Sequence, residues 1–147
     1  MVNEHMVSRN KQTRNTRRGA AAVETAAILP VLILFIFGGI EFGRFFMCVH
    51  GIKTACREAC RASLVTGATA DNAKLIIQER LAGFDIDDYT VTVDPDPISN
   101  ACQWDPVTIT ISTTYADVAW LPTPLFLTDV PMNFSCTLPR ESNECNQ

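Results

Sequence analysis

Histidine is scarce in this chain, with 2 among 147 residues, His5 and His50. Neither has a second histidine at ligand spacing, and no Cys-x-x-Cys pair is present, so a zinc-type site is not expected. No nucleophile motif and no phosphate-binding glycine loop can be found. These absences argue against an enzyme, and no cofactor or metal is expected. The acidic stretch Asp85, Asp87, Asp88, Asp94 and Asp96 lacks the ligand spacing of an EF-hand and reads as a solvated loop. Internal repeats are missing. So is any overall basic excess: the formal net charge is −4. The acid is concentrated after residue 19, which argues against nucleic acid as a partner.

Charge is absent altogether from Thr25 to Ile40, TAAILPVLILFIFGGI. As a helix that run rises about 24 Å, and extending it back to Ala20 gives about 32 Å, enough to cross a hydrocarbon core of roughly 30 Å. The extension takes in Glu24, so a spanning helix needs that carboxylate at the interface, protonated or partnered. Before the run, Met1 to Gly19 holds Arg9, Lys11, Arg14, Arg17 and Arg18 against Glu4, a balance of +4; the rest of the chain carries −8. A basic flank before an apolar span predicts a cytoplasmic leader and an acidic remainder outside. A cleaved secretory signal would need small residues after the run, where Glu41-Phe42-Gly43-Arg44-Phe45-Phe46 stands instead.

The junction Arg17-Arg18-Gly19-Ala20-Ala21-Ala22-Val23-Glu24 places one carboxylate five residues past a glycine. A cut after Gly19 would put a new amino terminus at Ala20. Glu24 of a neighbouring chain would then neutralise that ammonium, because burying either charge alone in lipid is costly. Pro30, inside the run, removes one helix hydrogen bond and favours a bend. Gly38, Gly39 and Gly43 offer a small face near the run's outer end.

These residues resemble the amino terminus of TadE-like proteins, minor pseudopilins of the tight-adherence or Flp-type pilus machinery. The matching elements are Arg18 to Glu24, Leu29-Pro30 and Glu41 to Arg44; the ending Thr137 to Glu141, TLPRE, fits more weakly. Thr25 departs from the pattern, which often has a bulky residue there. The resemblance implies cleavage after Gly19 by a prepilin peptidase. It also implies a bacterial inner-membrane, single-pass location with the carboxy-terminal part extracytoplasmic. The implied partners are membrane lipid, other pilin or pseudopilin subunits and pilus assembly platform proteins, and the role is pilus assembly, initiation or anchoring, or the equivalent in a secretion apparatus.

Beyond the span, Phe42, Phe45, Phe46, Val49, Ile52, Cys56, Ala59, Cys60 and Ser63 recur at intervals of three and four, an amphipathic continuation of the helix to about Val65, where Thr66-Gly67 stops it. Asp71 is expected to cap a second helix through Leu81, with Leu75, Ile76 and Leu81 buried and Gly83 as the stop. Strands are expected at Tyr89–Val93, Val107–Ser112 and Asn133–Leu138, with Pro95, Pro97, Pro122 and Pro124 in the loops. Met1 to Asn15 is polar and expected to lack fixed structure. The fold class is therefore α+β and pilin-like: a long amino-terminal transmembrane helix packed on a small antiparallel sheet, with one additional short helix. The domains are a basic leader (1–19), a membrane helix (20–42) and an extracytoplasmic domain (43–147).

Cys48, Cys56, Cys60, Cys102, Cys136 and Cys145 all follow the span, where an oxidising compartment would allow disulfides. Cys56 and Cys60 share a helix face and are expected to reach separate partners, Cys102 and Cys136; the alternative is that several of the six are free thiols in the core. Cys48 is expected near the membrane, unpaired or bonded to another subunit. Trp104, Trp120 and Phe126 read as core residues first, with contact to a partner as the alternative. The rival reading of the whole is an uncleaved single-pass protein whose disulfide-stabilised outer domain binds a partner.

Overall fold

The computed structural model describes residues 5–120 and 124–141, the first fourteen of these as backbone alone. Two helices, a short third helix and three strands follow one another: α1 (His5–Ala62), α2 (Ala70–Ala82), β1 (Thr90–Asp94), β2 (Pro106–Thr114), α3 (Tyr115–Val118) and β3 (Pro131–Pro139). The chain divides into two compact units, Met1–Ile40 and Glu41–Gln147. The fold is α+β, with a long apolar amino-terminal helix and a small antiparallel sheet.

The first unit is helix. α1 begins at His5, so the polar stretch expected to lack structure is helical from that residue on. Once a helix is nucleated, each further residue adds a hydrogen bond at little cost. α1 continues through Pro30 as one element. From Ala20 to Ile40 every residue but Gly38 is exposed. α1 is the one helix among the described residues long and apolar enough to cross a membrane.

The second unit builds a core between α1 and the sheet. β2 is central, paired antiparallel with β1 (Val91 opposite Ile111) and with β3 (Ile109 opposite Cys136). Val107, Ile109 and Ile111 alternate into the core along β2, as a half-buried strand requires. Against them α1 places Cys48, Ile52, Ala55, Cys56, Ala59 and Cys60, all buried. Five of these six are alanine or cysteine, and such small side chains let a helix lie close to a sheet. The expected stripe was partly misplaced: Phe42 and Phe46 are exposed, whereas Cys48 and Ala55 are buried.

Local capping explains the remaining boundaries. α1 ends at Ala62, three residues early; the Ser63 hydroxyl donates to the Ala59 carbonyl at 2.8 Å, and Gly67 takes φ +77° in the turn that follows. α2 is capped by Thr69, whose hydroxyl accepts the Asn72 N–H, and not by Asp71, which lies in the first turn. Its buried face is Ala70, Ala73, Ile77 and Leu81; Leu75 is exposed.

Candidate anchoring site

The expected processing and assembly residues lie on one exposed helical segment. Gly19 is in the interior of α1 with open space around it. Ala20 and Glu24 are exposed. Thr25, the departure from the expected pattern, donates its hydroxyl to the Ala21 carbonyl at 2.9 Å. A threonine bonded back one turn satisfies its own polar group, which suits it to an apolar surrounding.

At Glu41 the chemistry changes from exposed to buried. This carboxylate is wholly inaccessible to solvent. Its two oxygens accept three successive backbone N–H groups, from Leu125 at 3.0 Å, Phe126 at 2.9 Å and Leu127 at 2.7 Å. Its main-chain carbonyl accepts the Tyr115 hydroxyl at 2.9 Å. Burial first, and the Glu41 charge second, push the Tyr115 phenol above its ordinary 10.0.

One turn on, Arg44 is the mirror image in charge. Its Nε donates to the Val118 carbonyl at 3.0 Å and its two terminal nitrogens donate to Phe84 at 2.6 Å and Asp85 at 2.9 Å. The guanidinium also lies 4.6 Å from the centre of the Trp120 ring. Glu41 thus holds the loop before β3, while Arg44 holds α3 and the turn after α2. Charge-assisted bonds to backbone are among the stronger ones, and they satisfy carbonyls and N–H groups that no strand pairs. Among the described residues the one salt bridge is elsewhere, between Arg80 and Glu58.

A third buried charge works at the other end of the sheet. Arg140 donates to the carbonyls of Ile98 at 2.7 Å and Ala101 at 2.5 Å, and its own backbone bonds Asp105 and Trp104. The two charged segments read from sequence as motif fragments, Glu41 to Arg44 and Thr137 to Glu141, therefore both supply a buried arginine that ties loops down. Glu41 and Arg44 stand in the sequence as parts of a motif that does not itself state this role. The available signal was their spacing of three residues at the end of an apolar helix, which puts them on one face.

The cysteines depart from expectation. Cys48, Cys56, Cys60 and Cys136 are free thiols. The Cys56 sulfur donates to the carbonyls of Ile109 and Phe134, and that of Cys60 to those of Cys136 and Val107. The bridges expected from Cys56 and Cys60 are not made, because their helix face seats both sulfurs against strand carbonyls. Cys102 is disulfide-bonded, and neither Cys56 nor Cys60 is its partner. Cys145 lies outside the described residues. Cys48 is buried in the core, not at a surface. Burial pushes the Cys48 thiol up. Burial and then the neighbouring Cys136 raise Cys56 to about 11 and Cys60 to about 12. No group of metal-ligating side chains occurs among the described residues.

Residues 19–61 match the family of TadE-like proteins. The TadE-like segment therefore starts at the glycine before the apolar run and ends one residue short of the end of α1. It contains Glu24, Pro30, Glu41 and Arg44, and it stops before the sheet. A TadE-like match suggests a role in machinery related to tight-adherence pili, in association with other pilus components. Neither curated proteins nor solved structures gave a match.

Proposed function

We propose that this chain is a minor pseudopilin that helps to assemble, initiate or anchor a tight-adherence type pilus or a related secretion apparatus. The observation that carries the reading is the TadE-like match over a helix on which every residue from Ala20 to Ile40 but Gly38 is exposed. Apolar surface on that scale needs lipid or other helices around it. The basic leader stays in the cytoplasm, the helix crosses the inner membrane and the acidic domain lies outside. A prepilin peptidase removes residues 1–19, and Ala20 becomes the amino terminus. The Glu24 carboxylate of one subunit then pairs with the Ala20 ammonium of its neighbour, which sets the register between packed helices. The role is structural, without catalysis or cofactor, and its partners are lipid, other subunits and the assembly platform.

The test is the mass of the chain expressed in a bacterial membrane with and without a prepilin peptidase. Loss of residues 1–19 only when the peptidase is present is expected. Retention of the leader beside an active peptidase that cuts a control prepilin overturns the processing step.

A further inference from the structure

The second unit carries a cluster of exposed aromatic and aliphatic side chains that the proposed assembly role does not use. Phe42 and Phe46 stand one turn apart on α1 and are exposed, Phe46 by 64%. The Phe126 ring stacks on Phe42 with centroids 6.3 Å apart. Leu125, beside it, is 57% exposed. Phe45 joins the cluster edge-on to Phe46 at 5.7 Å. Trp120, 58% exposed, lies over the Arg44 guanidinium.

Two buried charges hold this surface in place. Glu41 bonds the backbone of Leu125 and Phe126 directly, and the Phe126 ring lies against Phe42. Arg44 bonds Val118 and contacts Trp120. Exposed aromatics on a loop pinned by three hydrogen bonds are a built surface, not a frayed one.

The position of the cluster along α1 points to its occupant. The apolar run from Ala20 to Ile40 is long enough to fill a hydrocarbon core. Phe42 and Phe46 follow Ile40 by only two and six residues in the sequence. The headgroup layer beyond the hydrocarbon is about 5–8 Å deep on each side. Aromatic rings favour that layer, where an apolar face and a polar edge are both satisfied. We infer that Phe42, Phe46, Trp120, Leu125 and Phe126 form a lipid-docking face that seats the domain on the headgroup layer of the membrane its helix crosses. The inference rests on the spanning helix proposed above. Its consequence is that the domain is held in one pose on the bilayer before it enters an assembly.

The chain carries its own reporter. It has two tryptophans, and the second, Trp104, is 70% exposed. Trp104 bonds the Arg140 carbonyl where β2 and β3 begin and end, beside the part of the sheet that meets Cys60. Trp120 belongs to the part that meets Glu41 and Arg44. Nineteen helical residues separate those two levels, about 28 Å.

The full-length W104F variant, with Trp120 alone, and W120F, with Trp104 alone, are reconstituted into phosphatidylcholine vesicles. The vesicles contain lipid brominated either near the headgroup end or near the tail end of its acyl chains. Flotation with the vesicles first reports insertion. The expected result is several-fold stronger quenching of Trp120 than of Trp104, strongest with bromine near the headgroup. Flotation with Trp120 no more quenched than Trp104 overturns the docking face alone. Trp120 emission that is blue-shifted but insensitive to bromine also overturns it, in favour of a second protein chain as occupant. Failure to float overturns the spanning helix and the inference with it.

Discussion

The Glu41 carboxylate accepts the Leu127 N–H at 2.7 Å, the shortest of three such bonds from one loop to one buried side chain. These two residues are far apart in sequence, and the bond fixes the loop that leads into β3. Removing the acceptor leaves three N–H groups without a partner. Each orphaned buried donor costs about 1–3 kcal/mol. E41A is therefore expected to lose several kcal/mol of stability, and E41Q, which keeps one acceptor oxygen and the side-chain volume, clearly less. Thermal unfolding in detergent reads this; an E41A midpoint equal to that of the parent chain contradicts the clamp.

Arg44 offers a complementary test. A lysine has no planar fork and presents a point charge, so it cannot span the three carbonyls of Val118, Phe84 and Asp85 together. R44K is expected to melt between the parent and R44A. Equal midpoints for R44K and the parent would mean that charge alone, and not the fork, is what the site needs.

The thiols between α1 and the sheet set a pH dependence. An exposed thiol in the unfolded chain titrates near 9.0, while the folded chain holds the Cys56 proton to about 11 and the Cys60 proton to about 12. Above pH 9.0 the unfolded state releases protons that the folded state keeps, so unfolding is favoured. Stability is full below pH 9.0 and falls as pH rises toward 12. Tyr89 and Tyr115, also raised by burial, add to the fall above 10.0. Replacing Cys56 and Cys60 by alanine should flatten the pH dependence of the melting midpoint over this window; an unchanged slope counts against the thiols as its source.

Gly51 permits a close approach. A Cβ there would meet the Phe84 ring at 2.8 and 2.9 Å. Phe84 has little freedom to yield, since its N–H bonds Leu81 and its carbonyl accepts from Arg44. G51A is expected to cost about 1–3 kcal/mol from overpacking, in spite of alanine's better helix propensity. A G51A chain that melts higher than the parent would show that the ring moves freely.

For the proposed assembly step, E24A is expected to abolish or strongly reduce recovery of the processed chain in sheared pilus fractions while leaving its membrane level unchanged. Unchanged incorporation sinks the charge-pairing mechanism.

Much of the architecture was legible because its signals are local. Alternation in Val107 to Ile111 predicted β2, and the uncharged run to Ile40 predicted the exposed helix. The stripe on α1 was read less well, because Phe42 and Phe46 share the intervals of the core residues yet are exposed, while Phe45 between them packs on the core. Trp104, Trp120 and Phe126 were expected in the core by residue type, and all three are exposed. Large aromatic side chains carry the same hydropathy whether a sheet or a membrane surface receives them.

The sequence by itself determined the exposed apolar helix, the basic leader before it and the order of helices and strands, since each depends on residues close together along the chain. Only the tertiary structure decided that Glu41, Arg44 and Arg140 are buried on backbone partners, with the Arg140 Nε left unpaired, and that Cys56 and Cys60 meet strand carbonyls instead of bridging. Those outcomes depend on which distant backbone groups arrive with unpaired N–H and C=O, and a buried charge is tolerable only where such partners converge on it.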